Sequence, residues 1–159
     1  DWGCSAEIQP NKPLRPNAGS RQFRSPEMLL NYKNYDTKSD IWSVGVYILS
    51  VLCHNNVPWR AKNTKNVLMM MSEFFGNKPF KKLASELNIS LVSLFGEDFL
   101  EKTTENPTSP IESCFSSKVK NLQDPLLVSL MMDLLRVNPK ERPTAEMALQ
   151  HNFFKQKSH

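Results

Sequence analysis

Hydrophobic residues recur at helical spacing along most of the chain. The stretch 39–54 is apolar nearly all round, which is typical of a helix buried in the centre of a domain. Pro26 opens a short helix, because its fixed φ suits a first helical turn. Asn63 or Thr64 is placed to cap a longer helix that stops at Gly76. No alternating strand pattern stands out, so the pattern predicts a mainly α fold.

The remaining segments alternate between polar loops and short helices. Residues 1–25 lack periodicity and are rich in Pro, Asn and Arg, which predicts an extended surface loop. One short helix is expected between Lys78 and Leu94, and another follows Asp124. The polar residues 96–123 between them are typical of a long surface insertion. Thr144 is placed to cap a final short helix.

Composition narrows the function classes. The chain has 159 residues, 40% of them hydrophobic, which is enough for one core. Its net charge of +4 allows a binding face for acidic partners. The chain has no dense Lys/Arg run, so nucleic-acid binding is not predicted. Three cysteines without a CxxC pair favour a reducing compartment over disulfides or zinc. The longest apolar stretch, 41–53, is shorter than the ~18 residues of a membrane span, so no membrane partner is predicted.

Four motifs then follow one another along the chain. They are Asp-Trp-Gly at 1–3, Ala-Gly-Ser-Arg-Gln-Phe-Arg-Ser-Pro-Glu at 18–27, Asp-Ile-Trp-Ser-Val-Gly at 40–45 and Asn-Pro-Lys-Glu-Arg-Pro-Thr at 138–144. In this order they resemble the metal-binding triplet, the substrate-facing loop, the central-helix signature and the closing Arg motif of eukaryotic protein kinases. Each motif is weak alone, whereas four in order over nearly the whole chain are specific.

The resemblance implies the mainly α, C-terminal (large) lobe of the protein kinase-like fold, with the N-terminal lobe absent. It divides the chain into an activation segment with the substrate-recognition loop (1–27), a helical lobe (28–155) that carries the polar insertion, and a short tail (156–159). The chain begins with Asp rather than Met, which indicates a fragment or a processed chain.

The resemblance also implies catalytic roles. Asp1 would bind the Mg²⁺ that bridges the phosphates of ATP, and Gly3 would complete the triplet as a structural residue. Trp2 replaces the commoner Phe, and its larger ring is expected to hold the triplet in an active-like pose. Ser20 stands where Ser/Thr-specific kinases place a hydroxyl that bonds to the catalytic Asp and Lys of the upstream loop. Asp40 would accept backbone N–H bonds from that same loop.

Several elements of a working kinase do not occur in these residues. There is no G-x-G-x-x-G loop, no Lys–Glu pair and no H-R-D-x-x-x-x-N loop. The chain alone is therefore expected to be inactive, and its partners should include the rest of a kinase domain. Between Gly3 and Ser20 the only hydroxyl is that of Ser5, too near the triplet for a usual activating phosphosite. The loop is expected to be held by its own sequence or by a partner.

Substrate preference follows from two basic residues. In the family, the positions of Arg21 and Arg24 flank the pocket for the residue after the phosphoacceptor. Two guanidiniums can clamp a carboxylate or phosphate with bidentate, charge-assisted bonds. We therefore expect protein substrates with Asp, Glu or phosphoserine just after the target. Glu27 and Arg142 match the family's buried ion pair, whose role is structural.

The motifs favour the Cdc-seven type of replication-initiation Ser/Thr kinases, through the 18–27 loop and the run SEFFGNKPFKKLASELNI. Casein kinase two, which shares the Asp-Trp-Gly triplet and a similar basic loop, is the alternative, and a pseudokinase-type binding module is a third. The favoured type implies a nuclear kinase of the cell cycle, with the cytoplasm as a second location, that needs an activating regulatory subunit. Exposed apolar positions in the insertion are candidates for docking such a subunit: Leu100, Ile111 and Phe115.

Overall fold

The structure is a computed structural model that describes residues 3–9, 12–53, 56–99 and 124–155. The expectations about Asp1, Trp2, Leu100, Ile111 and Phe115 lie outside these ranges, as do most of the predicted polar insertion and the tail 156–159. The described ranges contain eight α-helices, two 3₁₀ turns and no strand. None of these helices is long and apolar enough to cross a membrane. The helices are α1 Pro26–Leu29, α2 Lys38–Leu52, α3 Thr64–Phe75, α4 Lys78–Glu86, α5 Leu91–Phe95, α6 Pro125–Leu134, α7 Ala145–Leu149 and α8 Asn152–Lys155, and the 3₁₀ turns are Arg21–Phe23 and Glu97–Phe99.

Helix α2 forms the centre of the core. Its residues Trp42, Val46 and Leu49 are completely buried. Gly45 lets α6 approach closely, since a Cβ at this position would lie 2.9 Å from side-chain atoms of Leu135. The predicted central helix is therefore present, and α6 packs closely against it at Gly45.

One face of α2 contradicts the prediction of burial all round. Val44, Tyr47 and Val51 are 49%, 64% and 51% exposed. These positions lie three and four residues apart, so they form one stripe of the helix. Helix α6 and the 3₁₀ turn Arg21–Phe23 pack against other positions of α2, and within the described residues the stripe remains uncovered.

An aromatic cluster connects this core to the substrate-facing loop. Trp59 lies 6.1 Å from Trp42, 5.5 Å from Phe74 and 5.6 Å from Phe75, measured between ring centroids. The buried indole of Trp59 donates a hydrogen bond from Nε1 to the carbonyl oxygen of Gln22 at 2.9 Å. The core thus fixes the backbone of the 3₁₀ turn Arg21–Phe23.

Helix ends follow local capping rules. Of the two candidate caps for α3, Asn63 is the one observed, because its Oδ1 accepts from the backbone N of Asn66 at 2.8 Å. The helix ends at Gly76, whose φ is +81°. Asp124 caps α6 through the backbone N of Leu126 at 2.8 Å. The hydroxyl of Thr144 caps α7, as predicted.

The single helix expected between residues 78 and 94 is instead two helices. Asn88 has a φ of +55°, a left-handed conformation that ends the first helix. Ser90 then starts α5, because its Oγ accepts from the backbone N of Ser93 at 3.1 Å. Asn and Ser compete with helical hydrogen bonding in this way at helix ends, so the apolar spacing across them was misleading.

Candidate substrate-binding site

The segment that leads into the loop 18–27, which is predicted to face the substrate, is held in place by contacts with the α1–α2 connection. The backbone N of Leu14 donates to the carbonyl oxygen of Lys33 at 2.8 Å. The hydroxyl of Tyr35 donates to the carbonyl oxygen of Arg15 at 2.7 Å. Further along, the hydroxyl of Ser43 donates to the carbonyl oxygen of Phe23 at 2.9 Å. Backbone oxygens of residues 15, 23 and 33 thus accept the hydrogen bonds that define the path of this segment.

Arg24 organises the loop from within. Its Nε donates to the carbonyl oxygen of Ala18 at 3.0 Å, and its Nη2 donates to that of Gly19 at 2.7 Å. The same guanidinium also binds Asn17, through the backbone oxygen and through Oδ1 at 3.3 Å from Nη1. Gly19 has a φ of +70°, which a residue with a side chain rarely adopts. Arg24 thus stabilises a tight turn in which residue 19 has a backbone conformation that favours glycine.

The charge of Arg24 is not neutralised by these contacts, because every acceptor is a neutral amide oxygen. Partial burial and, next in size, the neighbouring charge of Arg21 lower the pKa of Arg24 from its ordinary value. An arginine nonetheless stays protonated in proteins. Arg21, at the start of the 3₁₀ turn, and Arg24, directly after it, are therefore two neighbouring cations. Neither takes part in an ion pair with the described residues.

Arg21 has donors to spare, in contrast to Arg24. Its Nη1 donates to the carbonyl oxygen of Lys62 at 2.6 Å. Its Nε is buried and has no hydrogen-bond partner among the described residues. Because this nitrogen is closed to solvent, an incoming ligand can reach only the two Nη groups. A carboxylate or phosphate can accept from both Nη nitrogens of one guanidinium, so Arg21 is a candidate for binding an anion.

Ser20 and Asp40 face the same open cavity, which has a volume of about 530 Å³ and also reaches Arg24. Ser20 is exposed, and its hydroxyl makes no hydrogen bond within the described residues. Asp40 is exposed in the first turn of α2, and its carboxylate makes no ion pair there either. The structure therefore brings three of the predicted site residues to one cavity. Arg21 does not line it.

Glu27 and Arg142 lie in contact beneath this loop. Nη1 and Nη2 of Arg142 each lie 3.0 Å from one oxygen of the Glu27 carboxylate, and both side chains are at most 1% exposed. Ser39 adds a hydrogen bond from its hydroxyl to Oε1 of Glu27 at 2.9 Å. The arrangement is bidentate, the geometry in which such pairs are strongest.

The remaining donors of Arg142 are used as well. Nη1 donates to the carbonyl oxygen of Lys38 at 2.6 Å, Nε to that of Arg136 at 3.1 Å and Nη2 to that of Val137 at 3.3 Å. All five N–H groups of the guanidinium thus have acceptors. The ring centroid of Trp42 lies 5.3 Å from Cζ of Arg142, within cation–π distance. One side chain joins α1, α2 and the loop after α6.

Sequence reasoning missed the residues that hold the site through backbone carbonyls. Trp59 donates to the carbonyl of Gln22 and Ser43 donates to that of Phe23, whereas Ser39 donates to the carboxylate of Glu27. The motifs predict none of these three contacts. Ser43 lies within the Asp-Ile-Trp-Ser-Val-Gly motif, which was the one available signal. A serine within a helix does not identify its acceptor, because that acceptor depends on a chain segment distant in sequence.

The described residues do not by themselves form a metal site. They contain no group of three His, Cys, Asp or Glu side chains that could hold an ion. Of the first three residues only Gly3 is described, and it lies exposed in a turn. The expected Mg²⁺ ligand, Asp1, is outside the described residues.

A family model, a sequence relative and a solved structure each match nearly the whole chain. A family model described as protein kinase domain matches residues 1–154. Casein kinase II subunit alpha′ of Saccharomyces cerevisiae is 27% identical over 157 residues, which cover 99% of this chain and 45% of that protein. In a crystal structure of the yeast RNA Pol II CTD kinase CTDK-1 complex, one chain superposes with a TM-score of 0.78 at 19% identity, over 99% of this chain and 49% of that one. The chain spans about half the length of the relatives it matches.

Proposed function

Because the chain belongs to the protein kinase domain family, we propose that it supplies the large lobe of a Ser/Thr protein kinase. The helical, kinase-like fold predicted from the sequence is confirmed by the family match and by the likeness to a solved kinase. The chain spans about half the length of its relatives. The complete enzyme is therefore proposed to include a nucleotide-binding lobe and a catalytic loop as well.

The proposed reaction transfers a phosphoryl group from ATP to a protein hydroxyl, with Asp1 as a ligand of Mg²⁺. The ion would neutralise charge on the phosphates, as in kinases generally. Two described residues support this assignment. Ser20 has a hydroxyl free to bind a catalytic loop, and Asp40 has a carboxylate free to accept backbone N–H bonds from it. Both border a cavity that is open to such a loop.

The preferred substrates are proposed to carry Asp, Glu or a phosphorylated residue just after the target. The observation that carries this proposal is the pair of adjacent arginines, neither of which has a carboxylate partner among the described residues. The two residues have different tasks. Arg24 positions the loop, whereas Arg21 supplies the free donors that bind the anion.

The narrower assignment is a Cdc-seven type kinase that acts in replication initiation in the nucleus with an activating subunit. It is supported by the 18–27 loop and by the run that leads into α4. The alternative, an acidophilic kinase like casein kinase two, is supported by the 27% identity to a casein kinase II subunit. Both alternatives share the basic substrate loop, so the proposed acidic preference does not depend on the choice.

Phosphate transfer by the complete kinase domain that carries this chain tests the proposal. With Mg²⁺ and labelled ATP, we expect labelling of peptides with Ser or Thr targets and none of matched Tyr peptides. Asp1→Asn should abolish labelling while the thermal melting temperature stays unchanged. If the wild-type domain binds ATP or protein partners and transfers no phosphate, it is a binding module and the proposal fails.

A further inference from the structure

Positive charge is unevenly distributed along the chain. Residues 8–26 contain four Lys or Arg, and residues 41–72 contain three. Neither segment contains Asp or Glu. The whole chain has a net charge of +4, so the remainder has more acidic than basic residues. The first of these segments includes most of the substrate-facing loop, 18–27, and the second contains the α2–α3 loop, residues 57–63. Two acid-free segments thus belong to different parts of the chain.

The fold joins these two segments at fixed points. The indole of Trp59, which is completely buried, donates to the carbonyl oxygen of Gln22 at 2.9 Å. Arg21 in turn donates from Nη1 to the carbonyl oxygen of Lys62 at 2.6 Å. Each segment therefore provides one donor and one acceptor to the other. The α2–α3 loop is held against the 3₁₀ turn by two hydrogen bonds that cross between them.

The α2–α3 loop carries two positive charges that have no partner among the described residues. Arg60 and Lys62 are exposed, and neither makes an ion pair or a side-chain hydrogen bond with the described residues. Lys65, by contrast, donates to the carbonyl oxygen of Phe95 at 2.6 Å and is already engaged. The carbonyl of Lys62 binds Arg21, so its ammonium group lies on a residue that touches the anion-binding arginine.

We propose that Arg60 and Lys62 form a second anionic subsite, which binds a further carboxylate or phosphate of the protein substrate, beyond the residue that faces Arg21. This inference rests on the proposed kinase function and extends its substrate class to segments with at least two acidic or phosphorylated residues. A protein segment fits better than nucleic acid, because polynucleotide binding relies on neutralising many phosphates and only two unengaged cations are added here.

Peptide kinetics with the complete kinase domain test the subsite. One series of Ser peptides carries a single phosphoserine after the target, and a second series adds one Asp or phosphoserine at each other position in turn. The double variant Arg60→Ala with Lys62→Ala removes both charges and keeps the Lys62 carbonyl that anchors Arg21. The control, Lys81→Ala with Lys155→Ala, removes two exposed charges from helices α4 and α8, away from the α2–α3 loop.

For the wild-type enzyme, we expect a second acidic residue at one or two positions of the peptide to lower KM. The Arg60/Lys62 variant should raise KM for those peptides roughly 2- to 30-fold with kcat unchanged, as expected when two exposed ion pairs that act in binding alone are removed. Singly acidic peptides and the Lys81/Lys155 control should change by less than about 2-fold.

The outcomes separate the two proposals. If the wild-type domain prefers the singly acidic peptide and gains nothing from a second acid, the subsite is refuted while the kinase function stands. If no peptide is phosphorylated, the kinase proposal itself fails. If a polynucleotide competes with the doubly acidic peptide and the double variant relieves only that competition, the surface binds nucleic acid and the inference is overturned.

Discussion

Replacing Arg142 by Met tests the contact that joins the substrate-facing loop to the end of the lobe. Met has a similar length and fills much of the same space, so the change removes charge and hydrogen bonds more than volume. Glu27 would remain at 1% exposure with the hydroxyl of Ser39 as its remaining side-chain partner. The carboxylate would then be a buried charge without a counter-ion.

The expected cost follows from this geometry. Removing one partner of a buried ion pair typically costs ~3–5 kcal/mol, because the other charge stays behind. Three backbone carbonyls, those of Lys38, Arg136 and Val137, also lose a donor. We therefore expect the free energy of unfolding to fall by at least about 3 kcal/mol.

Urea unfolding of the complete kinase domain, followed by tryptophan fluorescence, measures this loss, since Trp42 lies 5.3 Å from Cζ of Arg142. Arg136→Met is the matched control, because Arg136 pairs with Asp133 at 2.8 Å on the surface with its side chain 54% exposed. An exposed pair of this kind contributes up to about 1 kcal/mol. Equal losses in the two variants, or a loss below about 1 kcal/mol for Arg142→Met, would refute the reasoning.

Three further changes have defined outcomes. Gly45→Ala should lower the free energy of unfolding by about 1–3 kcal/mol, because the new methyl group would lie 2.9 Å from Leu135 side-chain atoms; an unchanged urea midpoint would show that α6 gives way freely. Asn63→Ala should cost about 1 kcal/mol through loss of the α3 cap, whereas Asn66→Ala keeps the backbone donor and should retain it; similar urea midpoints for the two would argue against the cap. Arg24→Ala should make the turn at residues 17–19 more sensitive to limited proteolysis, with Arg24→Lys intermediate, and a protease pattern like that of the wild type would show that the loop does not need the guanidinium.

Much of the local structure could be predicted because helix signals lie close together in sequence. The caps at Asn63, Asp124 and Thr144 each act within three residues, so the pattern contains both donor and acceptor. Where a local signal interrupts apolar spacing, as at Asn88 and Ser90, the spacing predicts a continuous helix and the local signal ends it. The result was one predicted helix in place of two.

The geometry of the candidate site depended on contacts that sequence spacing does not encode. Motif resemblance suggested Arg21 and Arg24 as an equivalent pair of anion-binding cations. In the structure their donors differ, because the backbone path brings the carbonyls of residues 17–19 to Arg24 and that of Lys62 to Arg21. An arginine presents five donors, and which of them remain free is decided by backbone oxygens far away in sequence.

The most direct test of the acidic-substrate proposal is a comparison of kcat/KM for two Ser peptides that differ only in the residue after the target. With the complete kinase domain, the phosphoserine peptide should be preferred to the Ala peptide by at least about 10-fold, as expected for a charge-assisted bidentate contact. Arg21→Ala should remove most of that preference and leave kcat for the Ala peptide unchanged. A preference for Pro or an apolar residue at this position, or an acidic preference that survives in Arg21→Ala, would contradict the account.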